Sequence, residues 1–494
     1  MQKYDSVVKG GSLVIPRVGI IKADVGISGE KVTEIAENIP AQGAERVVDA
    51  SGKFVFPGAI DSHFHVGIYR PMRDDATSES SSAASGGITT ILSYFRTGKD
   101  YLNKVGPYKE IFPEVLELSE DSFVTDYSYH LAIMTREQLN EMPWLLSDAG
   151  VSQFKYYMFY KTLDLTGASK AGSYLMTEEP LDLGLLYEMM SRVVDINKRF
   201  GGYGTARVAV HCEDPEIIRV TAREVKEHGS SGNLTKDYSD SRPSWQEKLA
   251  IHEVGVVASH TGCPIDLVHL SSEEAVNAAR EVSSLYPNLD ILREATLHHL
   301  ALSNDKDYGV CAKVNPPIRS SQDVEYLWEA VLAGDIQTII SDHACLTRER
   351  KGGNYEAATA GFGGTSLMFP VLISEGYHKR DLSLERIAEL TSLNPAIYHN
   401  LYPKKGTIML GSDADLAIVD VDKERRVSTD ILQSAQDFSP FEGMSLKGWV
   451  DCTILRGKVI FNAGKVMGKP GYGEYIKRPI KLHYKETKSH NEVH

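Results

Sequence analysis

Five apolar runs along the chain end in a residue able to bind a metal or move a proton: VFPGAIDSHFH, VSQFKYYM, RVAVHCED, PIDLVHLSS and IQTIISDHA. Short, nearly continuous apolar runs are the pattern of parallel strands buried on both faces. Three more runs share the texture without an obvious ligand: ITTILSYF (88–95), FVTDYSYHLAIM (123–134) and DILREATLHHLAL (290–302). Amphipathic helical stretches fall between them, at 181–200, 244–260 and 271–286. The last two open on serine, a favoured N-cap, with glutamate in the first turns. Eight strands alternating with helices predict an α/β chain folded as a (β/α)8 TIM barrel.

The ends of the chain carry a different period. SLVIP, IIKADVGISGE and KVTEIAEN alternate apolar and polar positions around a hairpin turn at Gly29–Glu30–Lys31, and the texture returns at 411–420 and 449–466. Such alternation marks half-buried antiparallel sheet. The expected organisation is a barrel over 58–400 and a small β-sandwich built from both chain ends, 1–57 and 401–470. The basic, polar stretch 471–494 reads as an arm or tail outside the core.

Composition narrows the class. At 494 residues the chain exceeds the roughly 250–300 that one core sustains, which fits a large catalytic domain beside a smaller one. A net charge of −14 argues against nucleic acid or an anionic membrane as partner. The five cysteines show no CxxC spacing. No apolar h-region opens the chain, and no apolar stretch approaches the ~20 residues that span a bilayer. These features predict a cytoplasmic protein acting on a small molecule.

The chemistry lies where the strands end. His63 and His65 flank Phe64, and alternate residues of a strand share a face, so both imidazoles can converge on one ion. Asp61 either orients a ligand histidine or caps a turn. His211 and His269 hold corresponding places in successive units. One histidine there serves a core as readily as a metal, but repetition favours ligands. Neutral imidazoles with a carboxylate, here Asp342, suit a hydrolytic zinc site. Lys155 is the unusual member. An ammonium inside SQFKYYMFY must be paired, snorkel outward, or be chemically altered. A neutral lysine that takes up carbon dioxide gains two oxygens, and the carbamate can bridge two cations.

GAIDSHFH, FKYYMFYK, VAVHCED, LVHLSS and SDHA, with SLNPAIYHNLYPKKGTIMLGSDADLAIVD and FSPFEGMSLKGWVDCTILRGKVIF, resemble the amidohydrolase superfamily, in its branch of hydantoinases, dihydropyrimidinases and allantoinases. The resemblance runs over nearly the whole chain. It implies the barrel with a β-sandwich, and two zinc or other divalent ions bridged by carboxylated Lys155. His63, His65 and Asp342 would hold the first ion, His211 and His269 the second. It also implies that a metal-bridging hydroxide opens the ring of a cyclic amide or imide, with Asp342 moving the proton. Tyr160 matches a tyrosine that donates to the oxyanion. Relatives of this kind form homodimers or homotetramers.

The ring itself is less legible. KVNPPIRS and EATLHHL look more like dihydroorotase, yet Gly67 stands where that enzyme has an arginine. Asn315 occupies a position where hydantoinases place a substrate-contacting serine, and 357–367 lacks their ring-binding asparagine. Tyr69, Met72, Tyr94 and Phe95 point to an apolar or aromatic substituent, and Arg70 or Arg96 could clamp a carboxylate only from inward-bending loops. The order of expectation is hydantoinase or dihydropyrimidinase, then allantoinase, then dihydroorotase. A non-catalytic assembly relative would have lost the ligands, and all six stand here.

Overall fold

Eight parallel strands follow one another around a barrel in sequence order: β1 (Ala59–His65), β2 (Ile88–Phe95), β3 (Asp126–Ala132), β4 (Gln153–Tyr157), β5 (Arg207–His211), β6 (Ile265–Leu267), β7 (Ile291–Thr296) and β8 (Thr338–Ile340). β8 pairs with β7. Two residues further on, His343–Ala344 pairs with β1, so this one segment joins both ends of the row and closes the barrel. The run at 290–302 is strand only to Thr296; its threonine then caps a short helix, Leu297–Ala301. The computed structural model describes residues 3–160, 181–202, 204–353, 355, 357–478 and 480.

Helices cover the strands where the apolar periodicity places them. Leu183–Phe200 starts at Asp182, and Glu273–Leu285 at Ser272, whose side chain accepts from Ala275 N. The third helix, Ser244–Thr261, departs from expectation: Pro243 holds the N-cap position and Ser244 is already helical. Proline fixes the extended entry (φ −60°, ψ 147°), and its carbonyl accepts from Gln246 N at 3.1 Å, without a side-chain cap.

Both chain ends build the remaining sheets. One has seven strands, in the order Lys465–Val466, Lys458–Asn462, Ser445–Leu455, Leu416–Arg426, Phe54–Pro57, Ser12–Ile15 and Gly19–Lys22. The other has four: Lys31–Ala36, Asp24–Ser28, Tyr4–Lys9 and Ala44–Asp49. Alternation sorts the larger sheet's faces. Leu13, Val55, Leu416 and Ile418 meet Val8, Val25, Ile27 and Val32 of the smaller sheet, while Val14, Phe56, Ala417 and Val419 join the barrel's core. The hairpin at Gly29–Glu30 has positive φ at both residues (53° and 70°), the two-residue turn that matches strand twist.

The segment from Gly471 to Arg478 is not peripheral. It lies along β3, where Ile476 N donates to Tyr127 O at 2.7 Å. Arg478 is fully buried, with Nε donating to Ser128 Oγ at 2.9 Å. Its polar sequence is accommodated because backbone and hydroxyl oxygens receive the charge. The expected tail at 481–494 lies outside the described residues. Among the described residues, no helix is long and apolar enough to cross a membrane.

Candidate active site

Parallel strands point their C-terminal ends to one rim, and the predicted residues meet there. His63 and His65 close β1, Lys155 lies within β4, and His211 ends β5. His269 follows β6, and Asp342 sits in the break after β8. All six line one pocket, with Asn315 on its wall. His269 and Asp342 have φ of 44° and 49°, a region side chains rarely adopt. Two strained positions among six rim residues mark where the backbone bends to aim a side chain.

The first cluster is tight. Asp342 Oδ1 lies 3.3 Å from His63 Nε2 and 3.2 Å from His65 Nε2. The second is a ring pair, His211 and His269, with centroids 4.5 Å apart. Lys155 Nζ and His269 Nδ1 are buried without a hydrogen-bond partner. Burial pushes the Lys155 ammonium down to about 8, against the pull of Asp266, Asp342 and Glu294. Burial, reinforced by neighbouring cations and imidazoles, also drives His63 and His269 well below the ordinary histidine value. Neutral imidazoles and an amine close to neutral are the forms that bind metal or take up carbon dioxide. The donor set therefore fits divalent cations.

Partners hold these side chains. Glu213 accepts from His211 Nε2 at 2.7 Å, leaving Nδ1 as that ring's lone-pair nitrogen. His63 Nδ1 faces Glu294 at 3.5 Å, and the Tyr101 hydroxyl lies 2.9 Å from His65 Nδ1. Glu213 was within reach of sequence reasoning, two residues past His211 in VAVHCED. Glu294 and Tyr101 carried no such signal. Asp61 does not touch a ligand histidine: it accepts from Ser341 N and Oγ and from Thr365 Oγ1, pinning the break in β8.

The expected aromatic pocket is corrected. Tyr69 does line the site, but Met72, Tyr94 and Phe95 are core residues, Tyr94 lying 4.2 Å beneath His63 between ring centroids. Arg96 and Tyr101 stand in the wall instead. Arg70 is turned away, paired with Asp75 at 3.0 Å and Glu79 at 3.4 Å. Asn315 Oδ1 accepts from Tyr238 at 2.6 Å. Tyr160 ends the short turn Met158–Tyr160, five residues beyond Lys155, and its side chain lies outside the described residues. Two other buried acidic groups, around Asp75 and around Asp126, are already filled by Arg70 and by Lys405 with Arg456.

A closed barrel with this rim defines a class of hydrolase. The profile of the amidohydrolase family matches residues 167–460, and the chain belongs to that family. It is 31% identical to the D-hydantoinase of Geobacillus stearothermophilus, over 95% of this chain and 96% of that one. It is 32% identical to the allantoinase of Solibacter usitatus, over 94% and 96%. The structure of the L-hydantoinase (dihydropyrimidinase) from Arthrobacter aurescens superposes with a TM-score of 0.84 at 29% identity, covering 96% of this chain and 100% of that one. The chain is an enzyme of the cyclic amidohydrolase kind.

Proposed function

We propose that this rim holds two divalent ions, zinc first among them, and that the enzyme opens the ring of a hydantoin or dihydropyrimidine. His63, His65 and Asp342 would hold one ion and His211 with His269 the other, Lys155 being shared as its carbamate. The observation that carries the reading is Lys155 Nζ and His269 Nδ1, buried without partners beside the triad of His63, His65 and Asp342. Bound there, the ions would supply a water acidified toward neutral pH and a Lewis acid for the ring carbonyl.

The chain's own groups do the rest. Asp342 carries the proton from the attacking water to the departing ring nitrogen. Glu213, Glu294 and Tyr101 hold the imidazoles in orientation. With its Oδ1 engaged by Tyr238, Asn315 offers the ring its N–H donors. Tyr160 donates to the developing oxyanion. A donor of that kind contributes about 3–4 kcal/mol in other hydrolases.

Allantoin is the second reading. The withdrawal of Met72, Tyr94 and Phe95 into the core, with Arg96 standing in the wall, favours a polar exocyclic group over an apolar one. Dihydroorotate is disfavoured. Gly67 is confined, with Met72 Cβ 3.1 Å from where a side chain would start, Arg70 is tied to carboxylates, and Arg96 pairs with Asp100 at 3.7 Å.

The test is a panel of 5-substituted hydantoins, dihydrouracil, allantoin, dihydroorotate and cyclic imides, assayed with zinc and bicarbonate. Carbamoyl or ureido acids should form from a hydantoin, from dihydrouracil or from allantoin. A metal-loaded protein that opens none of these rings overturns the reading. Lys155→Ala should lose bound metal, and active native protein should carry the extra mass of one carbon dioxide.

A further inference from the structure

Lys351 is a buried cation that the proposed chemistry does not use. It is 1% exposed, at the end of the short helix Arg348–Lys351. Its ammonium donates to Lys313 O at 2.8 Å and Gly361 O at 2.6 Å. It also lies 5.8 and 5.7 Å from the ring centroids of Phe362 and Phe438. Carbonyl dipoles and ring faces therefore balance the charge. Burying an ammonium in this way is costly, and an aliphatic side chain would fill the same apolar surroundings without that penalty.

The two carbonyls belong to different loops. Lys313 precedes Val314 and Asn315 in the loop after β7, and Gly361 follows Ala360 in the loop after β8; all four neighbours of the tie line the active-site pocket. Gly361 N itself donates to Lys313 O at 2.9 Å, so three hydrogen bonds close a small ring between the loops. The Tyr69 hydroxyl donates to Ala360 O at 2.9 Å, tying in the loop after β1. Gly361 has φ of 110°, and a Cβ there would stand 3.2 Å from Ala344, two residues beyond Asp342. The backbone at the tie is thus seated directly on His343–Ala344, the segment that follows Asp342.

We propose that Lys351 is a positioning and specificity-determining residue: its ammonium fixes the gap between the Asn315 wall and the Ala360–Gly361 wall, and with it the ring the pocket accepts. The inference rests on the cyclic-amide reading of this pocket. The charge strengthens both bonds, because an ammonium donates to carbonyl oxygens more strongly than a neutral amine or amide does.

A pH signature follows. Burial pushes Lys351 down to about 7, with Cys311 pulling upward and Lys313 opposing protonation. Arg348 and Asp437 also face this corner, Arg348 through Cys311 Sγ at 3.8 Å and a backbone bond to Asp437. The ammonium is charged below about pH 7, and the charge that strengthens the tie is lost as pH rises through that value.

The experiment compares wild type, Lys351→Met and Lys351→Arg, each with its melting temperature and metal content measured. Lys351→Met should raise KM roughly 10- to 100-fold, the effect of removing charge-assisted hydrogen bonds. Its kcat should stay within about threefold of wild type, and its preference between five- and six-membered rings should flatten. Lys351→Arg should restore KM and remove the rise in wild-type KM above pH 7. Hydrogen exchange at Gly361 N–H should quicken in Lys351→Met and not in Lys351→Arg. A Lys351→Met enzyme with wild-type KM and ring preference overturns the inference. If wild type opens no ring, the functional reading fails by itself; unchanged exchange at Gly361 would then separately refute the tie.

Discussion

Glu213 takes the Nε2–H of His211 and is gripped in turn by Arg242, whose Nε and Nη2 donate at 3.0 and 2.8 Å. Burial alone would raise the Glu213 carboxyl, but Arg242 and His211 hold it well below the usual carboxylate range. It therefore remains an anion that fixes the ring and leaves Nδ1 with the lone pair. Glu213→Gln should weaken zinc binding roughly 10- to 100-fold, measured by competition with a chelator. Unchanged affinity would mean that His211 does not hold metal. Glu247 illustrates the opposite sign. It accepts from Ser271 Oγ at 2.5 Å and Ser271 N at 3.1 Å, and burial pushes it up to about 7 despite Arg319. Its folded value lies above the ordinary 4.5, so ionising it destabilises the fold. That penalty is absent below pH 4.5 and grows as pH rises toward 7, by up to about 1.4 kcal/mol per unit. Glu247→Gln should flatten this part of the stability-against-pH curve in urea titrations, and an unaltered slope would assign it to another group.

At the scale of elements, the break in β8 places Asp342. Three hydrogen bonds to Asp61 hold Ser341 and Thr365 around it. Asp61→Ala should lower metal affinity and kcat together while the barrel still folds, read by metal content and circular dichroism. A variant with full metal and full turnover would show that the break is held elsewhere. This device was invisible in the sequence because its parts come from β1, β8 and the loop beyond. The strands were legible, since runs buried on both faces must be apolar throughout. That same uniformity hid which way β2 faces: Tyr94 and Phe95 read as pocket residues, whereas one lies beneath His63 and the other packs into the core. The rim residues were legible because a polar or charged side chain at a strand end interrupts the apolar pattern. Glu294 sits in a strand end as well, in EATLHHL, but its histidine partner comes from β1 and no local spacing announces it.

Across the whole molecule, one buried charge cluster joins the barrel to the sheet made by the chain ends. Lys405 Nζ reaches Asp126 at 2.7 Å, Asp415 at 2.6 Å and Asp413 at 3.1 Å. Asp126 begins β3, and Asp413 and Asp415 lead into the strand Leu416–Arg426. Arg456, in the turn after Ser445–Leu455, pairs with Asp126 and donates its backbone N–H to Asp415 at 2.8 Å. Lys31 pairs with Asp413 at 2.5 Å and Lys404 lies 4.0 Å from it, so four cations surround three carboxylates. The carboxylates outweigh burial and hold Lys405 above the ordinary lysine value, whereas burial raises Asp415. Pairs so enclosed add little over a well-packed apolar core, but removing one partner leaves a charge stranded. Lys405→Met should therefore destabilise the protein by about 3–5 kcal/mol, seen as a lowered urea midpoint. Lys405→Met with Asp415→Asn should recover part of that loss, because the second change removes a carboxylate the first has orphaned. If the double variant is no more stable than the single, the loss comes from packing around the lysine stem, and the cluster is not an electrostatic joint.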